Sequence, residues 1–138
     1  MSSPRTAAPG GTLVLDSEGL AKAVQRDRDV TTWLSLAREE DMRVVTSAAT
    51  LVEVTHPRIN RPALEWTLSR ITVEPVTAAI AHNASRLLAD ARLHGHAQAI
   101  DAMLAAMARA VPGPTIVLTS DPGDIARLCG AEATAVKV

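Results

Sequence analysis

The stretch TLVLDSEGL, residues 12–20, sets a short apolar run against an acid and then against helix formers. TLVLD (12–16) is a run of the buried-strand type, and SEGLAKAVQR (17–26) continues as a helix. Asp16 therefore stands where a strand hands over to a helix. The same alternation repeats outward from this point. DVTTWLSLARE (29–39) carries Val30, Trp33, Leu34 and Ala37 at helical spacing, and RVVTS (43–47) is a second strand. AATLVEV (48–54) reads as a helix, and THPRINRP (55–62), with two prolines, as a loop carrying Arg58 and Arg61. ALEWTLSR (63–70) predicts a helix, ITVEPV (71–76) an edge strand ending at Pro75, and TAAIAHNASRLLADARLHG (77–95) a helix capped by Gly95. HAQAIDAMLAAMARAV (96–111) is a further helix, TIVLTS (115–120) a strand, DPGDIARL (121–128) a helix and TAVKV (134–138) the last strand. Strands alternating with helices at this spacing give βαβ units: a single α/β domain, residues 12–138, with a parallel sheet and helices on both faces. Ligands of such sheets sit beyond the carboxyl ends of the strands. Asp16 lies at one of them.

Composition narrows the function classes. The chain has 138 residues, 14 Lys plus Arg against 15 Asp plus Glu, and a net charge of −1, so no overall positive field draws in nucleic acid and any phosphate contact has to be local. Phe and Tyr are absent and Trp33 and Trp66 are the two aromatic residues, which disfavours an aromatic sheet that reads RNA bases. One cysteine, Cys129, excludes an intrachain disulfide and a Cys-based zinc cluster. A reducing, cytoplasmic setting fits. MSSPRTAAPGG (1–11) has no apolar core of a secretion signal and reads as a flexible leader, and no run of about 18 apolar residues suggests a membrane span.

Four acids stand in apolar or strand-terminal company: Asp16, Glu53, Asp101 and Asp121. Asp16 could simply cap the following helix through the Gly19 amide. Asp121, followed by Pro122, is equally a cap with proline at the first helical position. Asp101 differs, because its neighbours in AIDAMLAAMA (99–108) leave no polar face for a charge. Glu53 meets the same difficulty among Leu51, Val52 and Val54. Burying a carboxylate demands donors, cations or a metal. Two strand-end acids and two helix acids without a solvent face converge most simply on one pocket, and like charges there repel unless a cation lies between them. With no Cys and no diagnostic His spacing, the donors suit Mg²⁺ or Mn²⁺ rather than zinc. Such ions serve phosphoryl and phosphodiester transfer.

In the order LVLDSEGL, TLVEV, AIDAMLAAMA and VLTSDPGDIARL the chain resembles the PIN-domain ribonucleases, in particular the VapC-like toxins of bacterial toxin–antitoxin pairs. The resemblance covers nearly everything after residue 11, and TSDPGD behind its apolar strand is the most family-like segment. It implies a doubly wound α/β fold and a Mg²⁺- or Mn²⁺-dependent endoribonuclease. It assigns catalysis to Asp16, Glu53, Asp101 and Asp121, with the metal on Asp16, Asp101 and Asp121. Ser120 and Asp124 would stand beside the site. Apart from the resemblance, the loop HPRINRP has no acid from Val54 to Leu64, so Arg58 and Arg61 could contact the phosphates of an RNA substrate, with a solvated loop as the commoner alternative. A cognate antitoxin is the implied partner. A homodimer is also implied, with the Trp33 stripe of helix 29–39 as its candidate surface. The chain departs from the pattern in lacking a surplus of positive charge. Two rivals remain: a PIN-like protein that binds without catalysis, and a phosphoacceptor receiver domain using Thr119 or Ser120 and Lys137. The latter leaves Asp101 unexplained and lacks a tight acid pair at its first strand.

Overall fold

The computed structural model describes residues 10–138. β1 (Thr12–Leu15), β2 (Arg43–Ser47), β3 (Thr72–Glu74), β4 (Thr115–Thr119) and β5 (Thr134–Lys137) form one parallel sheet in the order β3-β2-β1-β4-β5. β1 is central, with Leu15 opposite Thr46 on one side and Leu118 on the other. Between the strands lie α1 (Ser17–Val24), α2 (Arg28–Glu39), α3 (Thr50–Val54), α4 (Arg61–Ser69), α5 (Ala78–Ala91), α6 (Gly95–Ala110) and α7 (Pro122–Cys129). This is the expected single-domain α/β fold with helices on both faces.

Strand alternation divides the core in two. Leu13, Leu15 and Leu118 bury one face against Leu20, Val24, Val30, Val54 and Leu64 of α1 to α4. Val14, Val45 and Val117 bury the other against Ala84, Leu104, Ala105, Ile125 and Leu128 of α5 to α7. A period of two splits adjacent strand residues between the layers. Trp33 and Leu34 also pack on the first of these cores, and Val30 and Ala37 are buried. The stripe expected to face a second subunit is therefore used inside the chain.

Of the boundaries that differ from the sequence reading, two have a local cause in capping. α5 ends at Ala91 and Gly95 opens α6, because Arg92 adopts the left-handed conformation (φ 56°). The Leu93 amide donates to Leu88 O at 3.0 Å and the Arg92 amide to Ala89 O at 3.2 Å, a Schellman closure whose Leu93 and Leu88 both reach the core. α4 starts at Arg61, two residues inside the expected loop: Asn60 caps it through the Ala63 amide and Pro62 sits in its first turn. Of the expected leader, residues 1–9 lie outside the described residues. Gly11 is buried beside β1, its carbonyl accepting from Arg43 N at 3.0 Å and its φ of 88° set where a Cβ would collide with Pro114 O. No described helix is long and apolar enough to cross a membrane.

Candidate active site

The sheet order creates one topological switch point, since the chain winds outward from β1 through β2 to β3 and then crosses to β4 and β5. The crevice of a parallel sheet opens at such a point, beyond the carboxyl ends of the two strands that flank it. Asp16 follows β1 and Asp121 follows β4. The two strand-end acids straddle the switch point. A receiver-type sheet has the order 2-1-3-4-5, so this topology also disfavours that rival.

Asp16 is 7% exposed and caps α1, its Oδ1 accepting from the Gly19 amide at 2.8 Å. Gly19 is required there, because a Cβ would stand 2.9 Å from the carbonyl oxygen of Leu118. Burial pushes the Asp16 carboxyl above its ordinary range, against the opposing pull of hydrogen bonds from Gly19, Thr119 and Glu18. Thr119 also accepts from the Asp121 amide at 3.0 Å, so one buried hydroxyl ties the two strand ends together. Asp121 is exposed and caps α7, its Oδ1 accepting from Asp124 N at 3.2 Å. Capping is thus real at both acids, and it leaves carboxylate acceptor sites over.

Asp101, on the first half of α6, is half-buried and faces the same edge. Desolvation raises its carboxyl to about 6, and the charges of Asp16, Glu53, Asp124 and Asp121 push in the same direction. All five acids named from the sequence therefore share one electrostatic neighbourhood.

Glu53 differs from its expectation. It is exposed, because α3 is only five residues long and lies on the rim, burying Thr50 and Val54 while Val52 is 76% exposed. Its carboxylate accepts from the Ser17 hydroxyl, which links α3 to the start of α1. Ser17 and Thr119 are thus the supporting hydroxyls at the edge, while Ser120 is exposed just past β4. Thr119 gives no sequence signal beyond a strand-end threonine, and Ser17 reads as an ordinary first-turn residue. Asp124 is half-buried and lies 4.0 Å from Arg127. Arg58 and Arg61 are exposed on the α3–α4 connection and at the start of α4.

Among the described residues no three His, Cys, Asp or Glu side chains form a ready-made metal cage. The edge instead offers hard oxygen donors that repel one another. That fits a hydrated Mg²⁺ or Mn²⁺, which keeps several waters and takes one or two carboxylates, better than an ion that needs full protein coordination.

No protein-family model matches this sequence, and no curated protein matches it. Solved structures do match. The crystal structure of VapBC2 from Rickettsia felis bound to a DNA fragment from its promoter superimposes with TM-score 0.68 at 14% identity, over 92% of this chain and 98% of that one. The structure of FitAB bound to an IR36 DNA fragment gives 0.61 at 21% identity, covering 91% and 94%. FitAcB from Neisseria gonorrhoeae gives 0.57 at 22% identity, covering 89% and 95%. The chain has a PIN-like fold. At these identities the likeness carries the fold, and the chemistry of this PIN-like chain is argued from its own acids.

Proposed function

We propose that this PIN-like chain is a metal-dependent endoribonuclease acting as the toxin of a toxin–antitoxin pair. The observation that carries the reading is Asp101: a half-buried carboxylate raised to about 6 by burial and by four neighbouring acids at the switch point of the sheet. Folding gains nothing from such repulsion, whereas a cation uses it. The structures that share the fold are toxin–antitoxin complexes, which supports an antitoxin partner. A homodimer is also proposed, on a surface other than the Trp33 face.

Asp16, Asp101 and Asp121 would hold Mg²⁺ or Mn²⁺, which when bound polarises a phosphate oxygen and lowers the pKa of attacking water. Thr119 holds Asp16 and the Asp121 backbone in register, so that two acids from different strands face one point. Ser17 fixes the Glu53 carboxylate on the rim, where it can take a proton from water. Asp124 adds anionic charge in the first turn of α7, Ser120 offers an exposed hydroxyl, and Arg58 and Arg61 face solvent where an RNA backbone can reach them. The competing reading, a PIN-like protein that binds without cleaving, draws on the open spacing of the acids.

The test is RNA hydrolysis by purified protein with Mg²⁺, with Mn²⁺ and with chelator, for wild type and Asp16→Asn. Asn keeps the capping acceptor and removes the charge. Cleavage that needs metal and vanishes in Asp16→Asn is the expected result. An Asp16→Asn protein that cleaves like wild type would reduce Asp16 to a cap, and a wild type that binds metal without cleaving would favour the silent reading.

A further inference from the structure

A chain of net charge −1 needs a local cationic surface to hold RNA, and one is present on the α1–α4 side of the sheet. Three cavities lie there. One of about 350 Å³ is lined by His56, Pro57 and Arg61, directly after α3 and its Glu53. A second, of about 610 Å³, shares His56 and adds Arg58, Asn60 and Arg26. Arg26 then lies over the ring of Trp66 at 5.7 Å, with Arg70 over the same ring at 5.0 Å. Trp66 and Arg70 line the third cavity, of about 560 Å³, together with Arg38.

Five arginines thus border three cavities in series, and no acid lines any of the three. Glu65, exposed on α4, is the acid adjoining Trp66 in sequence. Among the described residues the arginines engaged in ion pairs or in side-chain hydrogen bonds are others: Arg43, Arg109 and Arg127. Trp66 is 53% exposed, the larger of two tryptophan surfaces in a chain whose other tryptophan packs on the core. An exposed indole flanked by guanidinium groups is a platform for a base, and free arginines beside it suit phosphates.

We propose that Arg61, Arg58, Arg26, Trp66 and Arg70 form a track for single-stranded RNA leaving the acidic edge past α3, with Trp66 stacking a base. This rests on the ribonuclease reading for its substrate class. α1 runs alongside the track and rises ~12 Å, enough for about four stacked nucleotides at ~3.4 Å each. The track therefore engages bases several positions away from the scissile phosphate.

The test measures binding apart from cleavage: fluorescence anisotropy of a labelled single-stranded RNA in chelator, across about 50 to 200 mM salt. Trp66→Ala is expected to weaken binding about 5- to 150-fold with the salt slope kept, the range for one lost base stack. Arg58→Gln and Arg70→Gln are each expected to lower the slope of log K against log salt by about 0.7. Arg86→Gln, which removes the same charge from exposed α5, is expected to leave the slope unchanged. Trp66→Leu and Arg58→Glu, the latter on an exposed loop, replace any variant that melts early. Wild-type affinity and slope in the track variants, or an equal drop in Arg86→Gln, overturns the proposal. So does a wild type that ignores RNA but binds a Glu-rich amphipathic peptide through these arginines. RNA binding lost in the track variants of a protein that never cleaves keeps the track and removes the nuclease reading instead.

Discussion

Replacing Asp101 by Asn is expected to stabilise the metal-free protein and to abolish its function. In the fold the Asp101 carboxyl is raised from its ordinary 3.8 to about 6 by desolvation first and then by the charges of Asp16, Glu53, Asp124 and Asp121. The difference corresponds to about 3 kcal/mol at ~1.4 kcal/mol per pH unit. Asp101 is only half-buried, so solvent screening reduces this to about 1–2 kcal/mol. The sign follows from proton linkage. Between the two values the folded state holds more protons than the unfolded one, so stability from this group is fully present below about pH 4 and lost as pH rises through about 6. Above that, the ionised side chain opposes folding. Among the described residues Asp101 has no hydrogen bond or ion pair that the substitution would break.

The assay is urea unfolding of wild type and Asp101→Asn in chelator, near pH 4.5 and near pH 7.5, repeated with excess Mg²⁺ or Mn²⁺. The variant is expected to gain about 1–2 kcal/mol at the higher pH and much less at the lower. Metal stabilises the wild type by mass action, and that gain is expected to shrink in the variant, which has lost an anionic ligand. A variant that unfolds more easily than wild type at pH 7.5 in chelator, yet gains as much from metal, would show that Asp101 is a structural acceptor outside the site.

Asp16→Ala is expected to lose about 1 kcal/mol in thermal unfolding while Asp16→Asn stays close to wild type, because only Asn retains an acceptor for the Gly19 amide. Gly19→Ala is expected to destabilise by about 1–3 kcal/mol in urea despite alanine's better helix propensity, since its Cβ would meet a backbone oxygen of β4. Arg43→Met removes the 3.0 Å ion pair that Arg43 on β2 makes with the buried Glu74 on edge strand β3, and is expected to cost about 1–3 kcal/mol by the same measurement. A loss below about 0.5 kcal/mol in Arg43→Met would mean that the other interactions of Glu74 carry it.

The sheet is readable because its central strands β1, β2 and β4 are short runs rich in Val, Leu and Ile and the longer helices keep their own period. Helix ends are less so. Gly95 looks like a cap, but the closure falls three residues earlier at Arg92, where Leu93 can fold back onto the core and offset a left-handed arginine. Glu53 shows the limit of local hydropathy: three apolar neighbours suggested burial, yet a five-residue helix on the rim buries only two of its residues and leaves Val52 and Glu53 in water. Asp101 was legible for the opposite reason, since a long apolar helix packed on the sheet has little solvent face to offer a charge. The Ser17–Glu53 and Arg26–Trp66 contacts carry no pattern, because their partners are distant in sequence, whereas Trp66–Arg70 is an i, i+4 pair and Thr119–Asp121 a two-residue turn whose roles show only once the edge is assembled.

The double use of the strand-end acids explains how an edge so rich in negative charge can fold. A carboxylate has about four acceptor sites. Asp16 engages donors from Gly19, Glu18 and Thr119, and Asp121 a single amide through Oδ1. Both acids sit at helix N-termini, where the positive end of the backbone dipole favours an anion. Capping thus offsets part of the cost of bringing Asp16 and Asp121 to the switch point and leaves acceptor sites on both carboxylates. Asp101 has no such support, since it lies in the body of α6, while Glu53 sits in the first turn of the five-residue α3 and accepts from the Ser17 hydroxyl. Desolvation first, and then the charges of Asp16, Glu53, Asp124 and Asp121, raise the Asp101 carboxyl to about 6. A divalent cation would relieve most there and least at the exposed rim, so metal affinity should fall more steeply on neutralising Asp101 than on neutralising Glu53.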